Sequence, residues 1–419
     1  MDLQRPRGTQ DILPDETPIW QRVEAVAHRV AQSYGYGEIR TPVFEHAEVF
    51  RRGVGDVTDI VEKEMYEFED RGGRHLVLRP ESTAAVARAL DGTQLLAEPP
   101  VRLYYLQSHF RYERPQSGRL RQHTQFGVET WGVAGPLADA EVIALAESFL
   151  QELGLEGLAV RLNSLGCSVC RPRYREALTA HLAGRRDELC PDCRRRLERN
   201  PLRILDCKVE GCQAVVREAP KPLDHLCPDC EQHLAGVEAA LAALGITFSR
   251  DGSLVRGLDY YTRTVFEIGY DKLGAQSTVC GGGRYDGLME SLGGRPQPAV
   301  GFGLGLERLL LTLKSEGLLP EAGAALDAYV AFLGDAMGPE ALRIARLLRT
   351  SGRRVEVEAL GRSLKAQLRR AQKLQVPRVV IVAPQEHERG SVVVRNMETS
   401  AQTEVPLEEL GRLLADQSV

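Results

Sequence analysis

Eight of the chain's nine cysteines fall between Cys167 and Cys230, in pairs: Cys167/Cys170, Cys190/Cys193, Cys207/Cys212 and Cys227/Cys230. Strand patterns flank this stretch, at Leu158–Leu162 before it and from Ser253 after it. A helical, cysteine-bearing segment inside a strand-rich region reads as an insertion, so one sheet domain has to be assembled from two separated pieces. Two thiolates at C-x-x-C spacing can take adjacent corners of a tetrahedron around zinc, and up to two four-cysteine sites can be built. Reduced thiols packed in a small module would satisfy the same composition, and spacing does not say which pair meets which. No apolar run approaches the roughly 20 residues of a membrane helix, and MDLQRPRGTQDILPDE lacks a signal peptide's apolar core. A cytoplasmic setting is expected, where paired cysteines favour metal over disulfides.

Before the insertion, Ile19, Val23, Val26, Ala27 and Val30 share one face of a helix over Glu16–Tyr34, ended by Gly35 and Gly37. Glu38–Phe44 is a strand pattern containing Pro42, which suits a sheet edge or a subunit boundary. Arg52–Asp59 reads as a loop, and Glu64–Phe68 and Arg74–Leu78 read as strands joined by a turn at Arg71–Gly73. LRPESTAAVARA (78–89) then switches to helix. Glu81, Ser82 and Thr83 stand at its start, able either to cap backbone N–H groups or to receive a substrate ammonium. Val101–Trp131 is a two-strand unit whose tip, RPQSGRLR, and shoulders carry Arg111, Arg114, Arg119 and Arg121 against Glu113 alone. Four guanidiniums make a poor turn and a good phosphate receptor.

After the insertion comes RGLDYYTRTVFEI (256–268), in which an arginine, an acid and two tyrosines lead into an alternating strand. It reads either as the wall of a polar pocket or as an ordinary strand opened by a turn. Glycines 301, 303 and 305 in AVGFGLGLERLLLTL superficially match a dinucleotide fingerprint. That motif needs its glycines in the first turn of a βαβ unit, whereas these close an antiparallel-looking domain and place Arg308 on the first helical turn. Beyond a Gly/Ala-rich linker at 321–325, strands and helices alternate through Ala383, as in a small parallel or mixed α/β domain. Between Glu340 and Arg378 eleven Lys/Arg face three Glu, in a chain of net charge −5. Local basic surface within an acidic whole suits either a solvated face or RNA contact.

Together these segments resemble the histidyl-tRNA synthetases, a family of class II aminoacyl-tRNA synthetases, over essentially the whole chain. The helix and strand ending at Pro42 match class motif 1, FRYERPQSGRLRQHTQFGVE (110–129) motif 2, and GFGLGLER (301–308) motif 3. RGLDYYTRTVFE, LRPEST and GGGRYDGL (281–288) are the histidine-selective part. The resemblance implies an α+β fold: an antiparallel six-stranded catalytic sheet with flanking helices (1–165 and 246–320), an inserted helical module (166–245) and a C-terminal α/β anticodon-binding domain (326–419). It further implies a homodimer through motif 1. The implied reaction forms histidyl-adenylate from L-histidine and ATP with Mg2+, then transfers the histidyl group to the end of the cognate tRNA.

By the same resemblance, Glu81 and Thr83 hold the histidine ammonium with Ser82 also in the histidine site, and Glu129 and Tyr261 bond the imidazole in a pocket shaped by Tyr260 and Tyr285. Gln125 contacts carboxylate or phosphate oxygens, and Arg111 and Arg256 flank the α-phosphate during catalysis. Glu113, His123 and Arg308 serve ATP, and Arg114 and Gln116 the tRNA acceptor end. One departure concerns ATP: His123 and Thr124 stand where the family usually has an aromatic–histidine pair, and an imidazole offers adenine a smaller π-face. The competing identity is a non-catalytic, histidine-binding regulatory paralogue of ATP phosphoribosyltransferase. Such paralogues lack the C-terminal domain and tend to lose the arginine at 256.

Overall fold

A computed structural model describes residues 3–55, 58–270, 278–319 and 326–413; the linker expected at 321–325 lies outside them. The chain packs as two compact units, Met1–Leu319 and Pro320–Val419. The strands of the first are β1 (Gly37–Glu38), β2 (Phe44–His46), β3 (Tyr66–Glu69), β4 (His75–Leu78), β5 (Val101–Phe110), β6 (Gln122–Trp131), β7 (Leu158–Ser164), β8 (Phe248–Arg250), β9 (Thr262–Tyr270), β10 (Thr278–Arg284) and β11 (Ala299–Gly305). Its helices are α1 (Thr17–Ser33), α2 (Ala47–Val54), α3 (Thr83–Leu90), α4 (Pro136–Glu152), α5 (Cys170–Gly184), α6 (Pro191–Arg199), α7 (Glu210–Arg217), α8 (Pro228–Ala243), the single turn α9 (Leu288–Ser291) and α10 (Leu306–Ser315).

The main sheet runs β1-β5-β6-β11-β10-β9-β7-β8. Its six inner strands are antiparallel; β1 pairs parallel with β5 and β8 parallel with β7, so the sheet is mixed and eight-stranded. Period-2 alternation sorts the side chains between two cores. Tyr104, Phe126, Phe266, Ile268, Val300 and Phe302 point to the face covered by α1, α4, α8 and α10. Phe126 meets Phe149 of α4 and Phe302 at ring centroid separations of 4.8 and 5.6 Å. Tyr105, Trp131, Val265 and Ala299 point to the opposite face, with α2, α3 and α9. The polar cleft opens on that second face, where glycines leave room above the strands.

The second unit contains β12 (Ala328–Phe332), α11 (Gly338–Thr350), β13 (Val355–Val357), α12 (Leu364–Lys373), β14 (Arg378–Val382), β15 (Ser391–Asn396) and β16 (Gln402–Pro406). Its sheet, β13-β12-β14-β15-β16, is parallel through β14 and antiparallel beyond. Gln367 of α12 is buried and bonds the N–H and C=O of Phe332 at 2.9 Å each, fixing that helix on the sheet.

Four local expectations are corrected. Glu38–Phe44 is not one strand: β1 stops at Glu38, and β2 joins a separate sheet ordered β2-β4-β3. Buried Arg79 takes the carbonyl oxygens of Thr41 and Pro42 at 2.6 and 3.2 Å, which a sheet ladder would otherwise use. Helix α2 runs through Arg52–Val54, where a loop was expected, because Phe50, Gly53 and Val54 pack inward. A π-helical turn, Ile60–Glu64, occupies the start of the strand expected from Glu64. Finally, Arg256–Tyr261 is an irregular loop, and β9 begins only at Thr262.

Candidate active site

The cleft, of ≈ 270 Å³, is lined by nine of the residues to which the resemblance gives a role: Glu81, Thr83, Arg111, Glu113, Gln125, Arg256, Tyr260, Tyr261 and Tyr285. Its floor follows from strand register. Gln125, Gly127 and Glu129 share one face of β6, and on β11 Gly303 stands opposite Gly127 and Gly301 opposite Glu129. A side chain at Gly303 would overlap the Gln125 amide, and one at Gly281 of β10 would overlap the Arg256 guanidinium. Those tips could swing aside, but a Cβ at Gly301 would overlap the Val128 carbonyl oxygen, so Gly301 is required by close approach of backbone.

At one end of the cleft the polar groups are buried and bonded to one another. Glu81 accepts the N–H groups of Thr83 and Ala84 at 2.7 and 2.8 Å, so it caps α3 while still facing the cleft. The hydroxyl of Thr83 donates to Glu129 at 2.8 Å, and the Tyr285 hydroxyl donates to the other oxygen of Glu129. Burial raises the Glu81 carboxyl above the usual range. It raises Glu129 much further, with the negative charge of Glu81 adding to the effect. Tyr260, Tyr261 and Tyr285 form an edge-on aromatic cluster, with Tyr260 and Tyr261 centroids 4.7 Å apart.

At the other end, guanidiniums are anchored by their surroundings. Arg111 Nε donates to the Pro80 carbonyl at 2.8 Å. Arg256 Nη1 pairs with Glu267 at 2.9 Å, while its buried Nε has no partner among the described residues. An orphaned buried donor facing a cleft is poised for an incoming acceptor. The four arginines near motif 2 do not act as one cluster. Arg119 pairs with Glu113, Arg121 lies 3.8 Å over the Tyr112 ring, and only Arg111 and Arg119 line the cleft.

Other expected site residues lie elsewhere. Ser82 is fully buried and its hydroxyl engages His109 at 2.7 Å and Gln107 at 3.1 Å, which places it behind the cleft wall. His123 contacts His109 edge-on at 5.6 Å; burial, reinforced by Arg111 and Arg119, lowers its pKa to about 3 and keeps it neutral. Arg308 is half-buried at the start of α10, near Gly118 of the motif 2 loop. Arg114 and Gln116 are exposed on that loop, where Gln116 bridges to Arg119.

Tyr105, Asp59, Glu64, Arg203 and Asp206 also line the cleft, and sequence reasoning had not assigned them to it. Tyr105 had a signal in its alternation with Tyr104, but Arg203 and Asp206 belong to the cysteine module and had none. Glu267, which holds Arg256 and also Arg161 at 2.8 Å, was visible only as a strand residue. Glu307 accepts the Thr124 N–H at 2.7 Å, joining motif 2 to motif 3, and burial raises its carboxyl to about 7.

The cysteines divide into two clusters, Cys167/Cys170/Cys227/Cys230 and Cys190/Cys193/Cys207/Cys212, with each cluster's sulfurs within 4.8 Å of one another. Sulfur separations of 3.6 Å (Cys167–Cys170, Cys170–Cys230), 3.8 Å (Cys167–Cys227) and 3.9 Å (Cys190–Cys207) are far from disulfide bonding. They match the roughly 3.8 Å edge of a tetrahedron with 2.3 Å zinc–sulfur bonds.

Comparison with known proteins follows the same outline. A family model for histidyl-tRNA synthetase matches residues 8–309, and one for an anticodon binding domain matches residues 327–417. The chain is 53% identical over 404 residues to the histidine–tRNA ligase of Moorella thermoacetica, covering 96% of both chains. It is 50% identical to that of Desulforamulus reducens, covering 97% of both. Among solved structures, apo S. aureus histidyl-tRNA synthetase is similar with a TM-score of 0.83 and 36% identity, over 98% of this chain and 99% of that one.

Proposed function

The chain belongs to the histidyl-tRNA synthetase family and is a ligase that joins histidine to tRNA, and from that premise we propose which groups carry each step. The observation that carries the proposal is the polarity of the cleft: buried acids and tyrosines at one end, anchored arginines at the other. Histidine sits at the buried end. Glu81 and Thr83 receive its ammonium, and Glu129 with Tyr261 bonds the imidazole, between Tyr260 and Tyr285. A site whose buried polar groups need partners rejects amino acids that cannot supply them. Ser82 acts from behind by fixing the start of α3.

ATP lies towards Arg111 and Arg256, with Gln125 on carboxylate or phosphate oxygens and Arg308 on the phosphates. The family uses ATP with Mg2+, an ion that takes oxygen donors; Glu64 and Glu113 supply carboxylates along the same cleft. The histidine carboxylate attacks the α-phosphorus as pyrophosphate leaves, and no protein acid or base is required. Arg111 and Arg256 stabilise the charge that redistributes on the α-phosphate oxygens, and their anchoring means little reorganisation is needed. The adenylate then passes histidine to the terminal adenosine of the tRNA, whose acceptor end Arg114 and Gln116 meet. The C-terminal unit binds the anticodon.

Three further parts belong to the proposal. The chain pairs with a second copy through the motif 1 region, where Val43, Phe44 and Phe68 are 45%, 57% and 42% exposed around an apolar groove. It works in the cytoplasm; among the described residues no helix is long and apolar enough to cross a membrane. Each cysteine cluster holds one structural zinc. The catalytic reading is tested by histidine-dependent exchange of pyrophosphate into ATP. Arg256→Ala is expected to lower the exchange kcat by roughly 10²- to 10³-fold; no exchange by the intact protein overturns the activation step, and full exchange by the variant overturns Arg256's role.

A further inference from the structure

Resting on the zinc reading above, we propose that the two cysteine clusters act as a pair of metal clamps that position the histidine-binding loop Arg256–Tyr261, so that metal occupancy governs histidine binding at the active site. That loop has no regular structure of its own. A loop carrying selective residues must be held by its neighbours to within a fraction of an ångström if its binding energy is to be realised.

The inner cluster supplies the first set of holds. Between its second ligand, Cys193, and its third, Cys207, the chain carries three residues that reach the loop and the cleft rim. Arg203 donates to the Gly257 carbonyl and pairs with Asp59 at 2.8 Å. Asn200 donates to Asp259 at 2.9 Å, and Arg196 pairs with Asp59 at 3.1 Å. The Arg203 side chain is only 11% exposed and its partner Asp59 37%, so the ion pair is part-buried. The segment itself is a short helix and a single 3-10 turn whose Leu197 and Ile204 join the module's small core, and its two ends carry the cluster's ligands.

The outer cluster supplies the second set. Cys167 follows directly on Leu165–Gly166, and those residues bracket Arg263: Leu165 N–H donates to the Arg263 carbonyl at 2.8 Å, and Arg263 N–H to the Gly166 carbonyl at 2.9 Å. Arg263 has φ of 48°, a left-handed conformation unfavourable for a side-chain-bearing residue. Arg171, in the first turn of α5 after Cys170, donates to the Tyr261 carbonyl at 3.3 Å. Each end of the loop is thus tied to a ligand-bearing segment. Backbone N–H groups of Cys227 and Cys190 point at the Cys170 and Cys212 sulfurs at 3.3 and 3.1 Å, the outer bonds that orient metal-binding thiolates. ATP is held by motifs 2 and 3, which meet through Thr124 and Glu307, and by Arg256, whose guanidinium is anchored to Glu267 of β9 and not to either cluster.

The inference predicts a split between substrates. Elemental analysis of the full-length chain, purified without chelators, is expected to find two zinc ions per chain, and Cys207→Ser to retain one. Arg203→Ala keeps both ions and breaks only the clamp. In pyrophosphate exchange, both variants are expected to raise the KM for histidine about tenfold and to leave the KM for ATP within about twofold. Calorimetric titration of histidine should weaken in parallel. Intact protein without zinc overturns the zinc reading and this inference with it. Two bound zinc ions together with an unmoved histidine KM in Arg203→Ala overturn this inference alone, and that variant decides the matter even if Cys207→Ser fails to fold.

Discussion

The two ends of the cleft use opposite electrostatic strategies. At the end proposed for histidine, Glu81, Glu129, Thr83 and Tyr285 are buried and satisfy one another, and burial pushes the carboxyls towards their neutral forms. At the end proposed for the nucleotide, Arg111, Arg119 and Arg256 are each steadied by a carbonyl or a carboxylate. The difference teaches how one cleft can be both selective and catalytic. Selection comes from polar groups that lose hydrogen bonds when the wrong side chain enters, whereas rate comes from fixed charge placed where the transition state needs it.

Glu129→Gln is the strongest way to break this contrast, because an amide cannot accept from both Thr83 and Tyr285 as a carboxyl can without presenting N–H to a donor. The KM for histidine in pyrophosphate exchange is expected to rise by roughly 10- to 100-fold with the KM for ATP nearly unchanged. Equal changes in both constants would mean the two ends are not separable.

Glu307→Gln probes the seam between motifs 2 and 3. The carboxyl, at about 7 when folded against an ordinary 4.5, holds a proton that the unfolded chain has already lost. Stability therefore falls as pH rises from about 4.5 through 7, and the variant removes that slope while keeping an acceptor for Thr124. Thermal melts across this window should be flatter for the variant, with a relative gain above pH 7. Parallel melting curves would show that Glu307 is ionised in the fold.

The smallest effect concerns His123. With its pKa at about 3, its ring resonances in a histidine-labelled sample should not titrate between pH 5 and 8. An inflection near 6.5 would place His123 in contact with water and remove it from the buried contact with His109.

Much of the site was legible because its residues sit at fixed positions on regular elements. Glu81 at the start of α3 and Gln125 and Glu129 on one face of β6 follow from helix capping and strand periodicity. The same logic failed wherever a residue's role depends on a distant partner. Arg121 reads as a phosphate ligand in the sequence, yet it stacks on Tyr112; Ser82 reads as part of the ammonium receptor, yet it faces His109. Pro42 suggested only a sheet edge or a subunit boundary within one strand, and the guanidinium of Arg79 that takes the carbonyls where the strand breaks lies 37 residues away.

The paired cysteines show the division most plainly. From sequence alone Cys167–Cys230 was expected to be an inserted module with spacing suited to a metal, since C-x-x-C is a local constraint on where two sulfurs can point. Only the tertiary structure decided that Cys167 and Cys170 meet Cys227 and Cys230, that the other four close inside them, and that Arg203 between them reaches the cleft. A spacing of three residues fixes a direction; which chain segment lies in that direction is set by packing across the whole domain.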